Sequence, residues 1–152
     1  MRYPMIVEEC ADAMNAVMPG NVVRVDPVRD ENAMEVSCFS KAWPHLFPQH
    51  GPGRKHSRKI DLADWQRDIV DAHPEAFLRG LIHSDGCRCI NKSMGHEYVR
   101  YFFDQVSNDI RQIFCRTCNR LGIQYKQSRW KTISIARRKD TEFLDSFIGP
   151  KL

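Results

Sequence analysis

The sequence predicts an α+β protein with an αββαββα module over residues 74–152. A partial copy over residues 1–50 precedes it, and a basic linker and helix over 51–73 joins the two. Three observations predict this. Apolar residues switch in a fixed order between helical spacing and period-two spacing. The order helix–hairpin–helix occurs twice, which marks an internal repeat. Clusters of Gly, Pro, Asn and Asp separate the segments as turn signals.

In the first copy, Ile6, Val7, Cys10, Met14 and Val17 recur at helical spacing, with Pro4 in the opening turn and Pro19-Gly20 as the stop. Strands are expected over 22–28 and 34–39 around Arg29-Asp30-Glu31-Asn32, then a short helix over 42–47 that contains Pro44. The basic stretch 49–59 is irregular because of its Gly and Pro residues, and reads either as a flexible link or as a phosphate-contacting loop. Asp61 is expected to cap a helix that carries Leu62, Trp65, Ile69 and Val70.

The second copy opens at Pro74, and Phe77, Leu78, Leu81 and Ile82 form one apolar helical face. Gly80 lies mid-helix, where it costs about 1 kcal/mol relative to Ala, a cost that fits a close backbone approach. Asp85-Gly86 ends this helix, with Gly86 suited to a left-handed cap. Strands follow over 87–92 and 98–103. Ser107-Asn108-Asp109 caps a helix bearing Ile110, Ile113, Phe114, Thr117, Cys118 and Leu121, which Gly122 stops. Strands over 123–128 and 132–136 flank a turn at Arg129-Trp130-Lys131, and Asp140 starts a last helix with Phe143, Leu144, Phe147 and Ile148 on one face.

Composition narrows the classes of function. A chain of 152 residues with 42% hydrophobic and 28% charged residues is globular rather than disordered. No apolar run is long enough to span a bilayer, and Met1-Arg2-Tyr3-Pro4 is not the start of a signal peptide. A soluble, cytoplasmic protein without a membrane partner is expected. The net charge of +4 is unevenly spread: residues 1–50 hold four Lys/Arg against seven Asp/Glu. Nine basic residues follow Asp109 between Arg111 and Lys139, a balance that suits a polyanion.

Six cysteines are expected as reduced thiols. The pairs Cys87-x-Cys89 and Cys115-x-x-Cys118 have spacings to be weighed as zinc ligands. Cys115 and Cys118 share a helix face with apolar residues, so buried thiols are the simpler account.

Period-two alternation turns Ile123, Tyr125, Ile133 and Ile135 towards the helices. Gln124, Lys126, Ser128, Thr132 and Ser134 then face outwards, flanked by Arg129 and Lys131 in the turn. Arg100, with Asn91 or Lys92, serves the same purpose on the other hairpin. Arg88 is a further candidate, although a bulge after Gly86 leaves the facing of Cys87, Arg88 and Cys89 open. Such polar and basic side chains can hold phosphates and read base edges.

Leu78-Arg79-Gly80-Leu81-Ile82-His83-Ser84-Asp85-Gly86 resembles the LAGLIDADG nonamer, matching it at Leu, Gly, Leu, Ile, Asp and Gly and departing at Arg79, His83 and Ser84. The αββαββα order behind it is similar to that of the LAGLIDADG homing endonucleases. The resemblance extends over 74–148 and, more weakly, 3–47. It implies an antiparallel four-stranded saddle sheet seated in the major groove of double-stranded DNA. It implies two signature helices packed side by side, with Gly80, Leu81 and Gly86 at packing positions. It also implies Mg²⁺-dependent phosphodiester hydrolysis, with Asp85 as the catalytic, metal-binding carboxylate assisted by the Ser84 carbonyl.

The first copy lacks a signature helix, its Asp and two strands. A second helix would therefore come from a missing N-terminal segment or from a homodimer through residues 77–85. Otherwise the chain is a relative that binds DNA without cutting, such as a transcription regulator or an intein-associated remnant. A reading from another class is a zinc-stabilised interaction protein using the four paired cysteines.

Overall fold

The computed structural model describes residues 3–149, which divide into two units, one up to Pro48 and the other Gln49–Gly149. In the first unit, helix α1 (Pro4–Val17) starts at a proline, whose missing N–H is no loss in the first turn. It ends where the Met18 N–H bonds the Met14 carbonyl at 2.9 Å. Strands β1 (Val23–Pro27) and β2 (Met34–Cys38) pair antiparallel, with Val25 opposite Val36. A one-turn helix, α2 (Trp43–Leu46), follows, and the Trp43 indole donates to the Cys38 carbonyl at 2.8 Å. Helix α1 packs on both strands, yet none of its own side chains is fully buried.

The second unit runs α3 (Asp64–Ala72), α4 (Pro74–Asp85), β3 (Gly86–Ser93), β4 (His96–Asp104), α5 (Asn108–Arg120), β5 (Lys126–Arg129), β6 (Thr132–Ile135) and α6 (Arg138–Ile148). From α4 onward this is the expected order helix–strand–strand–helix–strand–strand–helix. The four strands form one antiparallel sheet in the order β3-β4-β6-β5. Helices α4 and α6 pack against the sheet and against each other. Leu78, Ile82, Tyr101, Phe103, Phe114, Ile133, Ile135 and Leu144 make the core between them. The Phe103 and Phe114 rings stack with centroids 4.3 Å apart. Segment 51–73 belongs to this unit: the Ile60 N–H donates to Asp109 Oδ2 at 2.8 Å, and Arg120 pairs with Asp71 at 3.3 Å. Among the described residues no helix is long and apolar enough to cross a membrane.

Local chemistry sets the boundaries. The Ser107 hydroxyl caps α5 by accepting the Ile110 N–H, and Gly122 beyond its end takes φ +69°, the left-handed conformation that glycine adopts without strain. The β3–β4 turn at Met94 and Gly95 has positive φ at both positions, as a tight two-residue hairpin turn requires. Asp61 does not cap α3. The Gln66 side chain returns to the Ala63 N–H at 3.0 Å, and Asp61 instead pairs with Arg67 at 3.0 Å. Asp140 does not open α6 either: it is buried in the helix and accepts the Gln124 N–H at 3.2 Å. Gly86 is not in a left-handed cap, since its φ of −110° is extended. Glycine is needed there because a Cβ would lie 2.9 Å from the Ile82 backbone.

Arg88 points to the helix side of the sheet, where its Nε and Nη2 grip the two Asp145 carboxylate oxygens of α6 at 2.7 and 2.9 Å. The buried Tyr101 hydroxyl donates to the same carboxylate at 2.5 Å. The Arg88 guanidinium holds the Asp145 carboxyl below the usual carboxylate range, with Tyr101 adding to the effect and burial opposing it. Burial, then Asp145, pushes the Tyr101 hydroxyl up.

Asp145→Ala leaves the Tyr101 hydroxyl without its partner and is expected to cost about 1–3 kcal/mol in urea unfolding. Because the folded carboxyl titrates lower than the unfolded one, this contribution is complete above about pH 4 and fades as the pH falls. The stability gap between wild type and variant should therefore narrow in acid. Gly86→Ala forces the α4–β3 junction to shift and is expected to cost about 1–3 kcal/mol, read as a lowered melting temperature.

Candidate nucleic-acid interface and the Asp85 carboxylate

Helix α4 passes into β3 without a connecting residue, so Asp85 stands where the helix meets the end of the sheet. Its side chain is 39% exposed and lies 3.6 Å from the Lys55 ammonium. Asp85 Oδ2 also accepts from Gln105 Nε2 at 2.8 Å. Gln105 is buried just beyond β4, and its own position is fixed twice. Its side-chain oxygen accepts the Ser107 N–H at 3.1 Å, and its backbone N–H donates to the Lys131 carbonyl at 2.9 Å. The neighbouring Ser84 hydroxyl turns back to the Leu81 carbonyl at 2.9 Å. The His83 ring lies 3.0 Å from the Ile148 carbonyl, tying α4 to α6.

The other face of α4 is open. Gly80 is exposed, and a Cβ there would meet no atom within 4 Å. The close backbone approach expected at Gly80 is therefore not made by the described residues. Leu81 is half-buried against the core.

Magnesium is held in proteins by one or two carboxylates together with substrate phosphates. Asp85 provides one such oxygen donor, and among the described residues no group of three or more His, Cys, Asp or Glu side chains comes together. One carboxylate beside an ammonium does not by itself make a metal centre, and a site here would need further oxygen donors from elsewhere. The cysteine pairs likewise do not meet in one group. Cys87 and Cys89 share the outward side of β3, while Cys118 is fully buried on α5, where burial pushes both its thiol and that of Cys115 up.

Strand register defines the outward face of the sheet. Tyr101, Phe103, Ile133 and Ile135 point into the core, so their neighbours point away from it. The outward rows are Asn91 beside Tyr98; Cys89 beside Arg100; Phe102, Ser134 and Lys126; and Asp104, Thr132 and Arg129. A groove of about 410 Å³ opens here, lined by Arg100, Gln124, Lys126, Ser128, Ser134 and Arg137 among others. Five of these six were nominated from sequence. The Arg100 guanidinium lies 5.8 Å from the centre of the Phe102 ring, and its Nε is buried without a hydrogen-bond partner.

Other nominated residues lie elsewhere or differ in exposure. Arg88 is on the helix side, bound to Asp145, because a strand that begins with Gly86 against the core turns every second residue inward. Lys92 shares that parity and pairs with Glu97 at 2.8 Å. Thr132 and Ser134 face outward by register, but they are only 6% and 7% exposed. Their short side chains sit on a central strand between the longer ones of β4 and β5, and the Thr132 hydroxyl donates to Asp104. They form the floor of the face rather than its contact surface. Asn91 faces outward and accepts a weak bond from the Cys89 thiol at 3.8 Å. Arg129 is exposed and Lys131 half-buried.

Sequence reasoning did not single out Lys55, Gln105 or Arg137. Lys55 lies in the basic stretch read as either a flexible link or a phosphate-contacting loop, and Arg137 in the basic run that ends at Lys139. Gln105 carried no local signal, since its role comes from where β4 ends.

No family model and no curated protein matches the chain.

Gly80→Ala adds a methyl group into open space and removes a helix-interior glycine. The single chain is expected to gain about 1 kcal/mol in chemical denaturation, the reverse of the result at Gly86.

Proposed function

We propose that the chain is a DNA-binding protein of the LAGLIDADG homing-endonuclease type that lays the outward face of its four-stranded sheet along a long double-stranded site. When paired with a second signature helix, it hydrolyses phosphodiester bonds with Mg²⁺. The observation that carries the reading is the combination of the β3-β4-β6-β5 sheet with an acid, Asp85, at the end of the helix that feeds its first strand. The outward face adds Arg100, Lys126 and Arg129, cations suited to a polyanion.

Divalent metal, when bound, would activate water and stabilise the leaving oxygen. Asp85 is the residue of this chain that would hold it. Lys55 stands close enough to neutralise a neighbouring phosphate, and Gln105 orients the Asp85 carboxylate. A two-carboxylate centre needs the Asp85 of a second chain, or its counterpart in a longer protein.

A second reading, a DNA-binding or transcription-regulating protein that does not cut, is favoured by one observation. Asp85 is already engaged on both sides, by the Lys55 ammonium and the Gln105 amide.

The test is incubation of the protein with duplex DNA libraries and Mg²⁺, with binding followed in parallel at several salt concentrations. Asp85→Asn is expected to abolish cleavage, with at least a 100-fold loss on the scale of a removed metal or general-base function, and to leave DNA affinity within a few-fold. Cutting that survives the substitution defeats the catalytic assignment. Salt-dependent binding without any cutting selects the second reading, and absence of DNA binding rejects both.

A further inference from the structure

Several cations of the second unit have a carboxylate beside them: Lys55 with Asp85, Arg67 with Asp61, Arg88 with Asp145 and Arg120 with Asp71. The groove above β4, β6 and β5 holds no such pair. Arg100, Lys126 and Arg137 all line it, none of the three forms a side-chain hydrogen bond or ion pair among the described residues, and no acid is among its lining residues. Three like charges around one concavity repel one another, and a bound anion would relieve that repulsion.

We propose that this groove is a binding site for one phosphate group, held between Arg100, Lys126 and Arg137. Three further features fit phosphate. The exposed Gln124 amide lines the same space and can donate to phosphate oxygens, over a floor that includes Ser134, while the Ser128 hydroxyl beside it donates to the Thr132 carbonyl at 3.4 Å. The volume of about 410 Å³ admits a phosphate together with the sugar or water around it. The buried Arg100 Nε has a proton and no acceptor among the described residues, and the guanidinium lies over the Phe102 ring. Cations that converge from β4, β5 and the start of α6 suit a charged group between them better than a base edge, which one planar side chain reads from one side. The three cations exclude a metal ion from the groove.

As a contact to the DNA backbone, the site rests on the reading proposed above; as a phosphate site, it stands on the groove alone. The experiment therefore has two arms, both on the full chain. In the first, affinity for two unrelated DNA duplexes is measured against salt for wild type, Arg100→Gln, Lys126→Gln and Arg137→Gln. Arg120→Gln, whose guanidinium already faces Asp71, is the control. Each groove variant is expected to lower the slope of log K against log salt by about 1 and to weaken both duplexes alike, while the control changes neither. In the second arm, inorganic phosphate is titrated against labelled protein in NMR. Saturable shifts are expected at residues 100, 124–128 and 134–137 in wild type, and not in the variants.

Groove shifts without any DNA binding keep the phosphate site, assign it to a free phosphate ligand and reject the DNA reading. Slope changes in the DNA arm support the site as a backbone contact. Unchanged slopes with no groove shifts overturn it. So does a loss confined to one duplex at unchanged slope, which would make Arg100 a base reader. Lys126 is exposed, so Lys126→Gln tests the site without disturbing the core even if Arg100→Gln perturbs packing.

Discussion

The second unit depends on the junction at which α4 becomes β3 with no loop between them. Asp85 closes the helix and Gly86 opens the strand, so the chain turns while its backbone is pressed against Ile82. A residue with a Cβ can occupy that point only if the junction shifts. Ile82 and Leu78 are both fully buried, which seats α4 on the sheet at a fixed angle. Gly86 pairs with Phe103, and Phe103 stacks on Phe114 of α5, so one contact sets both the strand register and the seat of the next helix. The place of Asp85 follows from this. It is held at the end of the sheet, one residue before a glycine packed against Ile82, and beside Gln105, which follows the end of β4.

The two faces of the sheet handle charge in opposite ways. On the helix side, Arg88 is admitted only with both carboxylate oxygens of Asp145 and the Tyr101 hydroxyl in the same network, because a charge drawn partly out of water needs its partners in place. On the outward side, Lys126 and Arg129 are exposed and Arg100 half-buried, and among the described residues none of the three forms an ion pair with an acid. A face kept cationic in this way loses a little stability to self-repulsion and gains attraction for polyanions. On the proposed reading, these unpaired cations matter more to a polyanion than the modest net charge of +4.

Much of the architecture was legible because the signals were periodic. Ile133 and Ile135 alternate with Thr132 and Ser134, and the helices of the second unit present apolar residues three and four apart, so element order and the facing of β6 followed from spacing. What was not legible came from tertiary placement. Arg88 faces inward because β3 runs from Gly86 without the bulge that left its facing open, so it keeps the parity of its core-facing partner Tyr101. Thr132 and Ser134 have the right facing but little exposure, since burial on a central strand depends on how tall its neighbours are, which period-two alternation does not encode. The α3 cap moved from Asp61 to Ala63 because a glutamine three residues on supplied the missing acceptor. Lys55 and Gln105 reach Asp85 from 30 and 20 residues away, and no local pattern announces such a meeting.

Register also sets how far apart the acid and the basic groove can act. Gly86 pairs with Phe103 and Cys89 with Arg100, so Arg100 lies three rungs from the junction that holds Asp85, roughly 10 Å at about 3.4 Å per residue. That distance exceeds the Debye length of about 8 Å at physiological salt, so the groove cations bear little on the Asp85 charge across solvent. Lys55 lies much nearer, at 3.6 Å. The same 10 Å corresponds to about three nucleotide steps along one DNA strand. On the proposed reading, a duplex lying along the sheet would therefore meet a backbone anchor at Arg100 and the carboxylate at Asp85 within one continuous contact. The two would remain electrostatically independent, so affinity and chemistry can be altered separately.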